Sequence, residues 1–158
     1  MMLRVGLGFD SHRVVDGPGR VVIGGVVVSE GMRVVAHSDG DVLIHAIIDA
    51  ILGASGLGDI GSLFPDSDTR YKGADSSHLL SVVWEKVKAK GFNLVNLDAV
   101  VVSDRFMVSR FREKIVKNVS GILGVDRFKV WVKGKRPEGA FSGEGISSIC
   151  VVLLEGPG

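Results

Sequence analysis

The stretch Asp41-Val42-Leu43-Ile44-His45-Ala46-Ile47-Ile48-Asp49-Ala50-Ile51-Leu52 carries the clearest fold signal in the sequence. Its large apolar residues recur at helical spacing, which predicts an amphipathic α-helix packed against a core. Asp39 or Asp41 is a suitable N-cap, and Gly53 is a suitable residue to end the helix. The rest of the fold is therefore expected to supply a surface that covers this helix.

The residues before this helix read as strands. Leu3 to Leu7 predicts a first strand, and residues 14–20 predict a loop because they are rich in turn formers. Val21–Ile23 and Val26–Val28 flank the dipeptide Gly24-Gly25. A glycine pair supplies the positive φ of a two-residue turn, so this region predicts a β-hairpin.

The residues after the helix alternate between further helices, strands and two irregular segments. Helices are predicted at 76–90, with Gly91 as the stop, and at 109–123; strands are predicted at 94–102, 129–132 and 146–154. Residues 56–73 and 133–145 are long irregular segments of the kind that often carry function. This order predicts an α+β fold in one catalytic domain, residues 1–158, with three helices packed on one face of a mixed sheet.

Composition excludes several classes of protein. The 158 residues are 46% hydrophobic and 23% charged with a net charge of +1, which favours neither a nucleic-acid nor a membrane partner. The 22 glycines follow no repeat, and Cys150 is the single cysteine, expected to be a small buried hydrophobe. The sequence enters a strand pattern without a signal peptide, so a cytoplasmic enzyme is predicted.

A candidate metal site begins in the segment Gly8-Phe9-Asp10-Ser11-His12-Arg13. Side chains alternate along a strand, so Asp10 and His12 point to the same face. His45, on the predicted helix, supplies a third ligand. One carboxylate and two imidazoles suit a catalytic zinc ion with an open fourth position, whereas a satisfied polar strand end is the alternative. Asp41 or Asp49, on the same helix face as His45, is expected to accept the second imidazole N–H.

A phosphate site is predicted beside the metal ligands. Ser38 and Gly40 lie at the start of the helix that carries His45, where free N–H groups and the helix dipole favour an anion. His37 is placed to stabilise charge on a phosphoryl group that is being transferred. Helix capping by Ser38 or Asp39 is the alternative, and both roles are compatible.

The two irregular segments add further acidic and basic residues. Asp59, Asp66 and Asp68 lack the regular spacing of a calcium loop and are either ligands or solvated turn acids. Glu138 follows Lys135 and Arg136 in a basic loop that suits phosphates, with Glu138 as a magnesium ligand. An exposed charged turn is the alternative.

Four motifs together resemble the 2-C-methyl-D-erythritol 2,4-cyclodiphosphate synthase family of the non-mevalonate isoprenoid pathway. They are G-F-D-S-H-R (8–13), A-H-S-D-G-D-V-L-I-H-A (36–46), L-G-D-I-G-S-L-F-P-D-S-D (57–68) and Y-K-G-A-D-S (71–76). The resemblance implies a metal-dependent phosphorus-oxygen lyase that works as a homotrimer with active sites between subunits. Its cytidine-diphosphate-linked substrate would be 4-diphosphocytidyl-2-C-methyl-D-erythritol 2-phosphate, and its products the cyclic diphosphate and CMP.

The resemblance also implies residue roles. Asp10, His12 and His45 would hold Zn²⁺ or another divalent metal, and Glu138 would hold Mg²⁺ or Mn²⁺ on the substrate diphosphate. His37 would be catalytic and would contact phosphate with Ser38. Further substrate contacts would come from Asp59, Ile60, Gly61, Phe64, Pro65, Asp66, Ser67 and Asp68. Lys135 is predicted to contact phosphate because of its charge in the basic loop, not because of the resemblance. The two metals and the basic loop would neutralise the charge that opposes attack of one phosphate on another.

The C-terminal half departs from the family pattern. Lys135-Arg136-Pro137 replaces a threonine-rich run, so Arg136 takes the position of the threonine that stabilises the transition state. Residues 103–107 replace the usual stretch around cytidine, and side-chain contacts to the base are not carried over. The loop at 139–145 lacks the arginine that binds an isoprenoid diphosphate in some members, so that ligand is not predicted. Phe9 and Phe141 are expected to line an apolar interior.

Three other classes fit parts of the sequence. One carboxylate and two histidines also suit a non-haem iron oxygenase, although such sites usually lie in all-β barrels. A metal-dependent phosphodiesterase would give a linear product instead of a cyclic one. A metal-bearing trimer that only binds nucleotide is the non-catalytic alternative.

Overall fold

The computed structural model describes residues 1–140 and 143–158. Its strands are β1 (Met2–Ile23), β2 (Val26–Val35), β3 (Asn93–Val102), β4 (Val130–Lys135) and β5 (Gly145–Gly156). They form one sheet in the order β2-β1-β5-β3-β4. β3 and β4 pair in parallel while the other neighbours pair antiparallel, which confirms the predicted mixed sheet.

Helices cover one face of this sheet, as predicted. They are α1 (Val42–Ser55), α2 (Ile60–Leu63), α3 (Ser76–Ala89) and α4 (Arg112–Leu123). α1 packs on β1 and β5, α4 packs on β4, and α3 contacts both α1 and α4. The fourth helix, α2, is a single turn inside a segment predicted to be irregular. No helix in the described residues is both long enough and apolar enough to span a membrane.

The N-terminal hairpin is confirmed, but its arms are longer than expected. Gly24 and Gly25 have φ values of 60° and 76°, and Val22 pairs with Val27 across their turn. The loop predicted at 14–20 is wrong, because these residues belong to β1. The turn formers lie at a register irregularity between Asp16 and Arg20, and the strand continues to pair with β2 on both sides of it.

The predicted end of the first long helix is also wrong. Gly53 lies within α1, and the helix continues to Ser55 before Gly56 caps it in the left-handed conformation at φ 71°. A glycine in helical conformation costs about 1 kcal/mol but does not end a helix. The left-handed cap, rather than the first glycine encountered, determines where this helix ends.

Two glycines let α1 lie directly on the backbone of β1. A Cβ atom at Gly6 would lie 1.9 Å from the carbonyl oxygen of Ala50, and one at Gly8 would lie 1.9 Å from that of Ala46. No side chain fits in that space, so the helix approaches the strand as closely as backbone atoms allow. This contact fixes α1, and therefore His45, next to the part of β1 that carries Asp10.

The opposite face of the sheet is apolar and uncovered in the single chain. Leu3, Val5, Leu7 and Phe9 alternate with buried residues along β1 and are 59–68% exposed. Phe9 therefore lies outside the core of the single chain, and its expected place in an apolar interior stays a prediction. Phe141 lies outside the described residues.

Candidate active site

Three predicted metal ligands converge at one point. Asp10 and His12 lie two residues apart on the helix-covered face of β1, and His45 lies in the first turn of α1. Asp10 Oδ2 is 2.9 Å from His12 Nε2 and 3.0 Å from His45 Nδ1. One ligand atom from each residue lies within 4.8 Å of the others, so the three form a metal-binding triad.

The contact between His12 and Asp10 has the geometry of two ligands of one ion. His12 Nε2 is buried and makes no hydrogen bond within the described residues, although Asp10 Oδ2 lies 2.9 Å away. The two atoms are therefore close together without the alignment of a hydrogen bond, which is compatible with two ligands of one ion. An O, N, N donor set with one open side fits a zinc ion or a similar divalent metal.

Charge at the triad is distributed in a way that favours a cation. Burial raises the pKa of Asp10, but the adjacent His12 and His45 side chains outweigh it and lower that pKa to about 2. Burial lowers the pKa of His45, yet the hydrogen bond and charge of Asp10 outweigh it and raise that pKa. Asp10 is therefore an anion throughout the neutral pH range.

The second ring nitrogen of His45, Nε2, contacts two serines rather than the acids of its own helix. This atom lies 2.7 Å from Ser76 Oγ and 3.2 Å from Ser38 Oγ. The expectation that Asp41 or Asp49 accepts this N–H is wrong. Asp49 accepts the N–H of Ile60 instead. Ser76 was missed because it comes from a distant helix, α3, that only the fold brings to His45.

Asp41 caps α1 and also binds the hairpin turn. Its carboxylate accepts the N–H groups of Ile44, Gly24 and Gly25 at 3.0, 2.9 and 2.7 Å. Of the two predicted N-caps, Asp41 is the one observed. Burial raises the pKa of Asp41 to about 6, although the three N–H groups oppose this shift. The side chain thus joins the hairpin to the helix that carries His45.

A cavity of about 680 Å³ opens beside the triad. It is lined by predicted residues Asp10, His12, His37, Ser38, His45, Ile60, Gly61, Phe64, Pro65, Asp66 and Asp68. Its wall also contains Thr69, Tyr71, Lys72 and Leu79, none of which was predicted to contact substrate. A cavity of this volume is typical of sites for small organic ligands.

Two predicted contact residues of the segment around α2, Asp59 and Ser67, are absent from this wall within the described residues. Asp59 is the N-cap of α2, and its Oδ1 accepts bonds from the N–H and the hydroxyl of Ser62. These bonds lower the pKa of Asp59. Asp68, in the wall, is paired with Arg70, which lowers the pKa of that carboxyl group.

The basic loop near the C-terminus lies at the other end of the sheet. Lys135 and Arg136 line a separate recess of about 130 Å³ with Ser103, Met107 and Arg112. Three strand spacings, about 14 Å, separate β4 from β1 in this sheet order. Glu138 has a positive φ of 51° and borders neither cavity within the described residues. Within one chain, Lys135, Arg136 and Glu138 therefore do not line the cavity beside the triad, although Pro137 and His12 both border another recess of about 440 Å³.

Residues 3–155 match the model of the YgbB family. The chain belongs to the YgbB family. A curated relative of this YgbB chain is the 2-C-methyl-D-erythritol 2,4-cyclodiphosphate synthase of Aquifex aeolicus, 45% identical over 154 residues that cover 98% of each chain. The resemblance inferred from the four motifs is confirmed.

Solved structures give the same result for the fold of this YgbB chain. The bifunctional IspDF of Campylobacter jejuni matches with a TM-score of 0.93 and 36% identity, over 99% of this chain and 43% of that longer chain. The IspF CDP complex of Plasmodium falciparum matches with a TM-score of 0.85 and 32% identity, over 99% and 97% of the two chains. This α+β architecture does not have the all-β barrel typical of non-haem iron oxygenases.

Proposed function

We propose that the chain cyclises 4-diphosphocytidyl-2-C-methyl-D-erythritol 2-phosphate in the non-mevalonate isoprenoid pathway. An oxygen of the 2-phosphate forms a bond to the β-phosphorus, and the bond from that phosphorus to the bridging oxygen breaks. CMP leaves with the bonding electrons, and the product is 2-C-methyl-D-erythritol 2,4-cyclodiphosphate. The observation that carries this proposal is the convergence of Asp10, His12 and His45 beside a ligand-sized cavity in a YgbB chain.

The triad is proposed to hold Zn²⁺, with another divalent metal as the alternative. When bound, the ion supplies positive charge that offsets repulsion between the reacting phosphates. Asp10, His12 and His45 orient that charge toward the cavity. His37 and Ser38, in the same cavity wall, are proposed to contact phosphate, with His37 stabilising charge in the transition state.

The methylerythritol unit is proposed to bind along the segment that contains α2. Ile60, Gly61, Phe64, Pro65, Asp66, Ser67 and Asp68 would surround it, and several of them line the cavity. Both bonds from Ser62 to Asp59 use Oδ1. Oδ2 of Asp59 is the oxygen proposed to accept the diol hydroxyls.

The loop that contains Lys135, Arg136 and Glu138 is proposed to receive the cytidine diphosphate. Lys135 and Arg136 would pair with phosphates, Arg136 would stabilise the transition state in place of a threonine, and Glu138 would hold Mg²⁺ or Mn²⁺. The positive φ of Glu138 supports a special role, because non-glycine residues rarely adopt this conformation without a functional constraint.

The chain is proposed to act as a homotrimer with active sites between subunits. Two observations support this: the uncovered apolar face of the sheet, and the separation of the basic loop from the triad within one chain. A partner subunit would cover the apolar face and bring its loop to the triad. One core cluster includes residues of β1, β3, β4, β5 and the three long helices, and partly buried residues of β2 pack against it, which supports a single catalytic domain over 1–158.

A cytoplasmic location is proposed as well, with neither nucleic acid nor membrane as a partner. Cys150 is buried, and burial raises the pKa of its thiol, so it stays protonated. A single unpaired thiol is compatible with a reducing compartment. The net charge of +1 provides no electrostatic reason for binding nucleic acid or acidic lipid.

Phosphorus NMR with mass analysis tests the reaction. Purified protein is incubated with the diphosphocytidyl substrate and Mg²⁺, before and after removal of tightly bound metal. We expect cyclic diphosphate and CMP, loss of both on chelation, and recovery with Zn²⁺. A linear, hydrolysed product would indicate a phosphodiesterase, and binding without turnover by zinc-loaded trimer would indicate a nucleotide-binding protein.

A further inference from the structure

The two ring nitrogens of His45 have different surroundings, and the difference determines which of them can bind metal. Nδ1 faces Asp10 at 3.0 Å, while Nε2 faces Ser76 Oγ at 2.7 Å and, at a longer distance of 3.2 Å, Ser38 Oγ. A neutral imidazole carries one hydrogen, and the nitrogen without it is the metal ligand. Metal binding at the triad therefore requires the hydrogen to be on Nε2.

The hydroxyl hydrogen of Ser76 is donated to a third residue, Asp39. Ser76 Oγ donates a short hydrogen bond to Asp39 Oδ1, and the backbone N–H of Ser76 donates to Asp39 Oδ2 at 3.0 Å. An ionised carboxylate only accepts, so the single hydroxyl hydrogen of Ser76 goes to Asp39. The oxygen of Ser76 is then left as an acceptor for His45 Nε2–H.

The residues of this chain of bonds are held firmly by the fold. Ser76 is fully buried at the first residue of α3. Asp39 also accepts the N–H of Asp41 at 3.1 Å, and its own N–H bonds the carbonyl oxygen of Ala74. The relay Asp39–Ser76–His45 therefore connects the segment before α1 to the start of α3 and ends at the metal site.

We propose that Ser76, oriented by Asp39, is a positioning residue that fixes the metal-binding tautomer of His45. The inference rests on the proposed metal role of the triad and adds two residues that do not touch the ion. Hydrogen-bond partners behind a ligating histidine typically change metal affinity by about 10–100-fold when they are removed.

Zinc affinity, measured by competition with a chromophoric chelator, tests the proposal directly. We expect Ser76→Ala to weaken zinc binding at least about tenfold, and Ser76→Thr, which keeps the hydroxyl, to restore most of it. Ser120→Ala is the matched control, because Ser120 is also a buried helical serine but its hydroxyl donates to the carbonyl oxygen of Lys117 in its own helix. Its affinity should equal that of the unmodified protein.

Asp39→Asn supplies a variant of nearly unchanged volume. An amide NH₂ donated to Ser76 Oγ frees the serine hydrogen to turn toward His45 Nε2, which favours the wrong tautomer. We expect weaker zinc binding and an altered visible spectrum after Co²⁺ substitution, while Asp75→Asn, at an exposed neighbouring cap, changes neither. The double variant Asp39→Asn/Ser76→Ala should bind zinc only slightly more weakly than Ser76→Ala alone, because both changes interrupt the same relay.

The outcomes separate this inference from the proposed function. Unchanged zinc affinity and an unchanged Co²⁺ spectrum in Ser76→Ala and Asp39→Asn, with zinc bound normally by the unmodified protein, would overturn the relay alone. Failure of the unmodified protein to bind zinc or Co²⁺ would overturn the relay together with the metal role of the triad.

Discussion

At the residue scale, a missing side chain matters as much as the ligands themselves. Gly8 lets α1 lie on the backbone of β1, and this contact places His45 within hydrogen-bond distance of Asp10. The sequence motif that contains Gly8 also contains Asp10 and His12. One short segment therefore supplies two ligands and also the space that brings the third to them.

We expect Gly8→Ala to destabilise the protein by about 3 kcal/mol, because the added methyl group meets a backbone carbonyl that cannot move without the whole helix. Zinc affinity should fall with it, since α1 carries His45. Gly53→Ala is the control: its Cβ meets nothing within 4 Å, and alanine favours a helix by about 1 kcal/mol. Urea unfolding and zinc titration of both variants test this, and equal stability of the two would contradict it.

Glu138→Gln tests the second metal at the same scale. The substitution keeps the shape of the side chain and the strained backbone but removes the negative charge. We therefore expect unchanged stability, a lower kcat, and at least a tenfold rise in the Mg²⁺ concentration that gives half-maximal rate. A metal titration of the rate measures this. Unchanged Mg²⁺ dependence would remove Glu138 from the metal site.

At the element scale, Asp41 shows how one side chain joins a helix to a hairpin. Asparagine keeps one acceptor oxygen for the N–H groups of Gly24 and Ile44 but turns an NH₂ group toward the N–H of Gly25. We expect Asp41→Asn to lower the free energy of unfolding by about 1–3 kcal/mol. Asp75→Asn, an exposed cap of α3, should cost far less, because asparagine is an equally good cap.

The pH dependence of that loss follows from the pKa of Asp41. Burial raises the pKa to about 6 from the ordinary 3.8, so the folded chain takes up a proton that the unfolded chain does not. The contribution of Asp41 to stability therefore grows as the pH falls from 6 toward 4 and is lost as the pH rises. The Asp41→Asn variant lacks this pH-dependent contribution. In urea unfolding of metal-free protein, the substitution should therefore lower the free energy of unfolding more at pH 4.5 than at pH 7.5.

Most elements could be predicted because their signals are local. The periodicity of α1 and the Gly24-Gly25 turn both depend on neighbouring residues, and both are observed. The continuous course of β1 through 14–20 could not be predicted, since pairing with β2 on both sides of the turn formers overrides them. The ligands Asp10, His12 and His45 were recognisable from residue type, whereas Ser76 depends on tertiary contacts and has no comparable local signal.

At the scale of the whole molecule, the separation of triad and basic loop makes a shared active site testable. Two variants of low activity, His45→Ala and Glu138→Gln, are mixed in equal amounts, unfolded and refolded together, and assayed at a Mg²⁺ concentration at which Glu138→Gln is slow. If each site takes its triad from one subunit and its loop from another, about a quarter of the sites regain both intact parts. We therefore expect about a quarter of the normal rate.

Each variant refolded alone is the control for that experiment and should keep its own low rate. Sedimentation should confirm that the mixture and the controls have the same mass. A mixture no more active than the mean of its two components would show that each site is built within one chain.

The position of β5 has a consequence for how the protein is made. β5 lies between β1 and β3 in the sheet. It pairs with β1 along its length, so that Met2 of β1 lies opposite Gly156 of β5. A nascent chain that has emerged only as far as β4 therefore holds a hairpin and a separate parallel pair, each with an unprotected edge. Such edges attract other strands. Closure of the sheet must wait for residues 145–156, so the period just before they leave the ribosome is when this chain most needs a chaperone.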